Sequence, residues 1–315
     1  MLLAVVGFVI GMGILIKGAD WLISGSARGA KALRISPIVI GSSVVAFGTS
    51  APEMVVSLVA AFSGSGDISV GNVIGSNICN IALVLGVAAL ISPLKIQPGV
   101  LRMDLPITVV ASLVLFLLGR NYLLGRLEGS ILIVLFVVYI VFLASRKRPP
   151  EVLEEEEGKT PSWVKSHFWL AIILGLLGIT AGAKLMVDQG IKIAMILGVS
   201  QAVIGITLVA LGTSLPELVT SAVASWRKEY DIGIGNVLGS NVFNILLVLG
   251  VVSAARPIRV DHRLFQVDIW IMLAYILALF PLFFTGFKLT RKEGILLLAG
   301  YILYLAYLYH PAAGR

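Results

Sequence analysis

Gly48–Glu53 reads GTSAPE, and Gly212–Glu217 reads GTSLPE. Each copy sets a glutamate in the middle of an apolar segment. An offset of 164 residues separates Glu53 from Glu217, and the same offset links Asn72 to Asn236, Ser76 to Ser240 and Asn80 to Asn244. Aligning Ser36–Pro93 on Ser200–Pro257 needs no gap and makes 31 of 58 positions identical. A carboxylate at membrane depth costs roughly 2.5–3.5 kcal/mol on insertion scales, so its presence there points to a function. Two of them, related by an internal repeat, point to a transporter that binds cations near the membrane midplane.

Composition supports the membrane setting. The chain of 315 residues is 58% hydrophobic and only 13% charged, with a mean hydropathy of +1.00. That excludes an ordinary soluble domain. The net charge of +7 belongs with the basic loops of membrane proteins. No basic motif with interleaved aromatics is present, so nucleic acid is not an expected partner. A single cysteine, Cys79, allows no intrachain disulfide and lies in an apolar run as a packing residue. The opening run MLLAVVGFVIGMGILIK has no basic segment before its apolar stretch. It is expected to be the first membrane helix rather than a cleaved signal peptide.

Apolar stretches of spanning length cover Leu2–Gly25, Pro37–Phe62, Ile68–Ile91, Leu105–Leu118 and Leu127–Leu143. A second set covers Phe168–Val187, Ala202–Trp226, Ile232–Ala255, Phe265–Phe284 and Ile295–Tyr309. The expected fold is an all-α membrane protein of ten transmembrane helices. Residues 1–144 form one five-helix repeat and residues 167–315 the other. Between them, residues 145–166 hold several prolines and the acidic run Glu154–Glu157, which read as a solvated cytoplasmic linker rather than a calcium-sensing segment. The repeat reaches further than its best-matched core. Gly11 and Gly18 align with Gly175 and Gly182, and Asp104 aligns with Asp268. Five spans are an odd number, so the second unit enters the membrane from the opposite side and the repeats are inverted. With the N-terminus outside, the inner loops carry 15 Lys and Arg and the outer loops 7. That bias predicts a multi-pass cell-membrane protein with both termini extracellular.

The motifs supply oxygen donors. Ala46, Thr49, Ser50 and Glu53 recur at i, i+3, i+4 and i+7 and share one helix face, as do Ala210, Thr213, Ser214 and Glu217. Pro52 and Pro216 lack the N–H that would bond the carbonyls of Gly48 and Gly212, which frees those oxygens. The next helix of each half carries GNVIGSNICN or GNVLGSNVFN. There Ser76 with Asn80, and Ser240 with Asn244, face one way. Asn77 and Asn241 lie about 100° away and are read as helix contacts. Glycines 71, 75, 235 and 239 allow close helix packing. No His or Cys has ligand spacing, which argues against zinc and copper. Oxygen donors suit Ca²⁺, which takes six to eight, and Na⁺, a hard ion of similar size.

These paired motifs resemble the two alpha-repeats of sodium/calcium exchangers in the cation/calcium antiporter superfamily. The ten-helix layout extends the resemblance over nearly the whole chain, the linker excepted. The resemblance implies that Glu53, Glu217, Asn80 and Asn244 bind ions, with Thr49, Ser50, Thr213, Ser214, Ser76 and Ser240. Carbonyls around Ala46 and Ala210 are implicated in the same way. It implies Na⁺/Ca²⁺ antiport by alternating access, with the first helix of each half sliding against an eight-helix core. Asn at 244, where some relatives carry Asp, resembles the potassium-independent type. GTSxPE in both halves argues against the calcium/proton members, which use a GNxxE pattern. The competing readings are a calcium/proton antiporter and, in another class, a passive cation channel. No nucleophile–base pair or zinc motif suggests an enzyme, and no cofactor is expected. A complete two-fold site in one polypeptide leads to the expectation of a monomer.

Lys17, Asp20, Lys184 and Asp188 sit toward the ends of the first helix of each half. Lys17 with Asp20, and Lys184 with Asp188, are expected to snorkel or pair locally. Asp104 and Asp268 are expected to be helix N-caps.

Overall fold

The computed structural model describes residues 1–146, 161–197 and 210–309. Most of the expected linker, the first part of the expected span Ala202–Trp226 and the last residues of the chain lie outside the described residues. With no water to satisfy backbone groups in a bilayer, an apolar chain resolves into helices. The structure is accordingly almost all helix. Among the described residues seven helices are long and apolar enough to cross a membrane. These are α1 (Leu2–Leu33), α4 (Gly66–Ile91), α5 (Val100–Gly119), α6 (Arg126–Ser145), α8 (Phe168–Ile196), α11 (Tyr230–Ala255) and α12 (Leu264–Phe284). A bent pair, α2 (Pro37–Thr49) and α3 (Ala51–Phe62), makes an eighth. Short α7 (Ser162–Ser166) precedes α8. The second motif gives α9 (Ala210–Thr213) and α10 (Leu215–Trp226), and α13 (Arg291–Tyr309) ends the described chain. The chain is therefore a multi-pass membrane protein.

Burial separates the helices into a centre and a rim. In α4 and α11, 72% and 83% of the most apolar window is buried, against 22–39% in the other five. The two helices that carry the GSN motifs are thus the middle of the molecule, and the rest present Leu, Val, Ile and Phe outward. Glycines let the centre close. A Cβ on Gly239 would lie 2.6 Å from Ser42 Cα, and one on Gly235 2.6 Å from the Ile38 carbonyl. The N-terminal part of α11 therefore crosses α2 backbone to backbone. Gly71 and Gly75 meet no such neighbour among the described residues.

The two halves are tied together by matched contacts. Strand β1 (Leu94–Lys95) pairs antiparallel with β4 (Lys288–Leu289), with Leu94 opposite Leu289. Strand β2 (Leu123–Leu124) pairs antiparallel with β3 (Ile258–Arg259), with Leu124 opposite Ile258. In the repeat alignment β1 corresponds to β3 and β2 to β4, so the two ladders are copies of each other. Each joins one half to the other. Glu128 accepts the Gly125 N–H at 2.9 Å, and its counterpart Glu293 accepts the Thr290 N–H at 2.7 Å. Both glutamates therefore serve the start of the last helix of their half.

Two expectations need correction. Asp104 and Asp268 do not cap helices, since both sit in helical backbone without a side-chain capping bond. Asp104 is instead held by Arg146, whose Nη2 donates to Oδ2 at 3.3 Å. Asp268 accepts from the Tyr304 hydroxyl at 3.0 Å. Each aspartate ends a π-turn that runs straight into the next helix, so there is no free helix start for it to cap. Lys17 pairs with Asp20 at 3.3 Å and Lys184 with Asp188 at 3.1 Å, as expected. Asp20 also accepts from Arg227 Nε at 2.6 Å, a link from α1 to the end of α10. At that membrane edge burial, followed by the charge of Asp231, raises the Glu229 carboxyl above its ordinary range, against the pull of Arg227.

Helices α1 and α8, the first of each half, lie against each other along their length. Gly11, Gly18, Gly175 and Gly182 form the seam. A Cβ on Gly182 would sit 2.4 Å from the Leu15 N and 2.9 Å from the Gly11 carbonyl. Backbone cannot swing aside as a side chain can. Gly182→Ala should therefore destabilise by about 1–3 kcal/mol, the usual cost of overpacking. Gly13→Ala, on the same pair of helices but with nothing within 4 Å of the added carbon, should be neutral or slightly stabilising. Thermal unfolding in detergent checks this: equal Tm changes for both variants would contradict the packing account.

Candidate ion-binding site

The GTS motifs do not lie on one unbroken helix face. Helix α2 stops at Thr49, Ser50 adopts φ −86° and ψ 3°, and α3 resumes at an angle of 44°. Pro52 causes the break, because it offers no N–H to Gly48 and its ring crowds that turn. Pro216 sits at the same place in the second copy, where Ser214 has φ −88° and ψ 2°. The kink turns Thr49 and Ser50 inward at the level of the glutamates. The Ala46 carbonyl accepts the Ser50 N–H at 3.0 Å and lies 3.3 Å from Thr49 Oγ1. Ala210 opens the described part of α9.

Glu53 and Glu217 are both wholly buried, as are Asn80, Asn244, Thr49 and Ser240. Ser50, Ser76, Thr213 and Ser214 are nearly so. Hydrogen bonds link the glutamates and hydroxyls in two clusters, each of which crosses the halves. Ser50 Oγ donates to Glu217 Oε1 at 3.1 Å, and Ser240 Oγ reaches the same oxygen at 3.4 Å. Ser76 Oγ donates to Glu53 Oε1 at 3.5 Å, and Ser214 Oγ donates to Ser76 Oγ at 3.4 Å. Thr49 Oγ1 stands 3.3 Å from Ser240 Oγ. Each GTS motif thus meets the GSN helix of the other repeat.

One oxygen of each glutamate is satisfied in this way, and the second is not. Glu53 Oε2, Glu217 Oε2, Asn80 Oδ1 and Asn244 Oδ1 are buried without a hydrogen-bond partner among the described residues. All four are acceptors, and they belong to the four residues set apart by the motifs. Leaving a buried acceptor unmatched costs about 1–3 kcal/mol, more for a charged group. Positive charge bound here would give these oxygens the partner they lack. Among the described residues no group of three or more His, Cys, Asp or Glu stands together. The available ligands are therefore carboxylate, amide and hydroxyl oxygen, the donor set of a hard cation. Helices α4 and α11 each change to a wider π-turn over Asn80–Val84 and Phe243–Val248. Such bulges are frequent at functional sites, and here they coincide with the asparagines.

A second ring backs the first and was not singled out from sequence. Thr49 Oγ1 donates to Asn236 Oδ1 at 3.0 Å, and Asn236 Nδ2 donates to Ser221 Oγ at 3.1 Å. In the other half Asn72 Nδ2 donates to Ser57 Oγ at 3.1 Å and lies 3.4 Å from the Glu53 carbonyl. Its sequence signal was present, because Asn72 and Ser57 are each unchanged between the repeats.

The chain is similar in sequence and structure to known proteins. The profile of the family described as sodium/calcium exchanger protein matches residues 3–144 and 167–310. The sodium/calcium exchanger MaX1 of Methanosarcina acetivorans is 32% identical over 96% of this chain and 97% of its own. A membrane protein of Methanocaldococcus jannaschii, MJ0091, is 37% identical over 97% of this chain and 98% of its own. A structure of the sodium–calcium exchanger NCX_Mj, soaked with 2.5 mM Na⁺ and 0.1 mM Ca²⁺, superposes with a TM-score of 0.86. It is 34% identical and covers 98% of this chain and 100% of that one.

Glu53→Gln and Glu217→Gln each keep the volume and remove one charge. Losing one partner of a buried charge pair costs about 2–5 kcal/mol, so each variant should weaken Ca²⁺ binding by roughly 30-fold or more. Calorimetric titration of the folded variants measures it. Parent-like affinity in either would remove that glutamate from the site.

Proposed function

Since the chain belongs to the sodium/calcium exchanger family, we propose that it is a secondary antiporter moving Ca²⁺ against Na⁺ by alternating access. It is a transporter and not an enzyme. The observation that carries the reading is the set of four buried acceptor oxygens on Glu53, Glu217, Asn80 and Asn244 that no donor satisfies. Thr49, Ser50, Ser76, Thr213, Ser214 and Ser240 complete the coordination, with backbone carbonyls near Ala46 and Ala210. Relatives of similar length are named for sodium/calcium exchange, which supports both ions as cargo.

Charge sets the coupling. Two ionised glutamates neutralise one Ca²⁺. Three Na⁺ on the same two carboxylates leave one net positive charge. Exchange at that ratio moves charge and responds to membrane potential. Asn at position 244, where an acid would add a further charge, fits exchange that does not need K⁺. The architecture proposed for this cycle is ten spans in two inverted five-helix repeats, with α1 and α8 sliding on the other eight. The copied β-ladders, the copied helix starts and the two Pro-broken helices support a two-fold relation between the halves. The loop charges favour both termini outside and residues 145–166 in the cytoplasm. The site is complete within one chain, which fits a monomer.

Purified protein in liposomes tests the reading. An outward Na⁺ gradient should drive ⁴⁵Ca²⁺ uptake. Valinomycin-imposed potentials should change its rate, and leaving K⁺ out of a matched assay should not. Uptake driven equally by a proton gradient in Na⁺-free buffer would favour a calcium/proton antiporter. Calcium flux that needs no counter-ion would make the protein a channel.

A further inference from the structure

Two buried asparagines stand behind the site without belonging to the ion-binding set. Asn77 and Asn241 have no exposed surface. They face each other across the join of the two repeats. Asn77 Nδ2 donates to the Asn241 backbone carbonyl at 3.2 Å, and Asn241 Nδ2 to the Asn77 carbonyl at 3.5 Å. Asn77 Nδ2 also lies 3.7 Å from the Met272 sulfur, another acceptor.

This reciprocal pair settles which way each amide points. A side-chain amide has a donor end and an acceptor end. A backbone carbonyl only accepts, so the end of Asn77 that faces it is nitrogen and the far end is oxygen. That oxygen accepts from Asn244 Nδ2 at 3.1 Å. Asn241 is fixed by the same logic, and its Oδ1 accepts from Asn80 Nδ2 at 3.1 Å. The nitrogen ends of Asn80 and Asn244 are therefore both occupied. Their remaining ends must be oxygen, and these are two of the four buried acceptors without a partner.

We infer that Asn77 and Asn241 are positioning residues, each holding the amide of the other repeat's ion-binding asparagine with its oxygen toward the cation. An amide that turned over would present an NH₂ group to a positive charge, and the relay forbids that. A role in helix packing alone does not require this pattern. Small apolar side chains would let α4 and α11 approach without burying four amides. The connection is crossed: Asn77 acts on Asn244 and not on Asn80, its neighbour one turn along the same helix.

The inference rests on the reading of Asn80 and Asn244 as cation ligands, and a set of mutant cycles separates the two. Ca²⁺ is titrated calorimetrically into purified protein in Na⁺-free detergent. The single variants are Asn77→Leu, Asn80→Ser and Asn244→Ser, and Asn77→Leu is then combined with each serine variant. Asn77→Leu keeps the volume and should raise the Kd about tenfold, the effect of roughly 1.4 kcal/mol. On the Asn244→Ser background it should add less than about twofold, because nothing is left to orient. On the Asn80→Ser background it should again add about tenfold. A Kd for Asn77→Leu equal to the parent's, or the same added factor on both backgrounds, would overturn the inference while leaving the ligands in place. Parent-like affinity of both Asn80→Ser and Asn244→Ser would overturn the ligand reading and the inference with it. If Asn77→Leu does not assemble, Asn241→Leu is read in the same way with the backgrounds exchanged. Failure of both to assemble would make the pair a packing element and overturn the assignment.

Discussion

Two carboxylates buried in an apolar interior dominate this molecule. Glu53 and Glu217 are the residues hardest to place in a membrane. Each is tolerated because the surrounding helices deliver hydroxyl donors to one of its oxygens. The other oxygen has no donor among the described residues. The Pro-induced breaks bring Thr49, Ser50 and their counterparts to the glutamates. The central helices are the most deeply buried of the bundle because they carry the serines and asparagines that complete the ring. Removing the carboxylates would leave a polar centre with no reason to be polar.

The repeat makes this arrangement economical. One half supplies a glutamate, a hydroxyl pair and an amide, and the second half supplies the same set. The contacts do not stay within a half. Ser50 serves Glu217, Thr49 approaches Ser240, Ser214 serves Ser76, and Asn77 holds Asn244. An ion held at the centre, as proposed, would be bound by both halves at once. A motion of one half against the other would alter the coordination of the ion. That would be the physical link between binding and the proposed alternating access.

Much of the candidate site is legible in the sequence because it is written twice. The 164-residue offset marked the glutamates, the GSN helices and the glycine seam between the first helices of each half. Proline chemistry anticipated that the motif helices would open near Gly48 and Gly212. The break is a bend at Ser50, whose φ of −86° and ψ of 3° depart from the helix while its N–H and carbonyl keep their bonds to Ala46 and Met54. What sequence reasoning missed depended on partners far apart in the chain. Asp104 and Asp268 look like caps at the head of a helix, but Arg146 and Tyr304 claim them from other helices. Asp20 has a nearby lysine, yet its second partner is Arg227. Asn77 and Asn241 were read as contacts because helical spacing turns them from the site. Their effect passes through a second amide, and spacing on one helix cannot show that.

In the proposed cycle one cation site, shared by both repeats, takes Ca²⁺ and Na⁺ in turn. Equilibrium titration of the purified chain with Ca²⁺ at a series of fixed Na⁺ concentrations tests it most directly. The account predicts one Ca²⁺ per chain in Na⁺-free buffer. It also predicts an apparent Kd that climbs with a power of the Na⁺ concentration greater than one, as several Na⁺ displace a single Ca²⁺. A Kd indifferent to Na⁺, or two independent Ca²⁺ per chain, would contradict it.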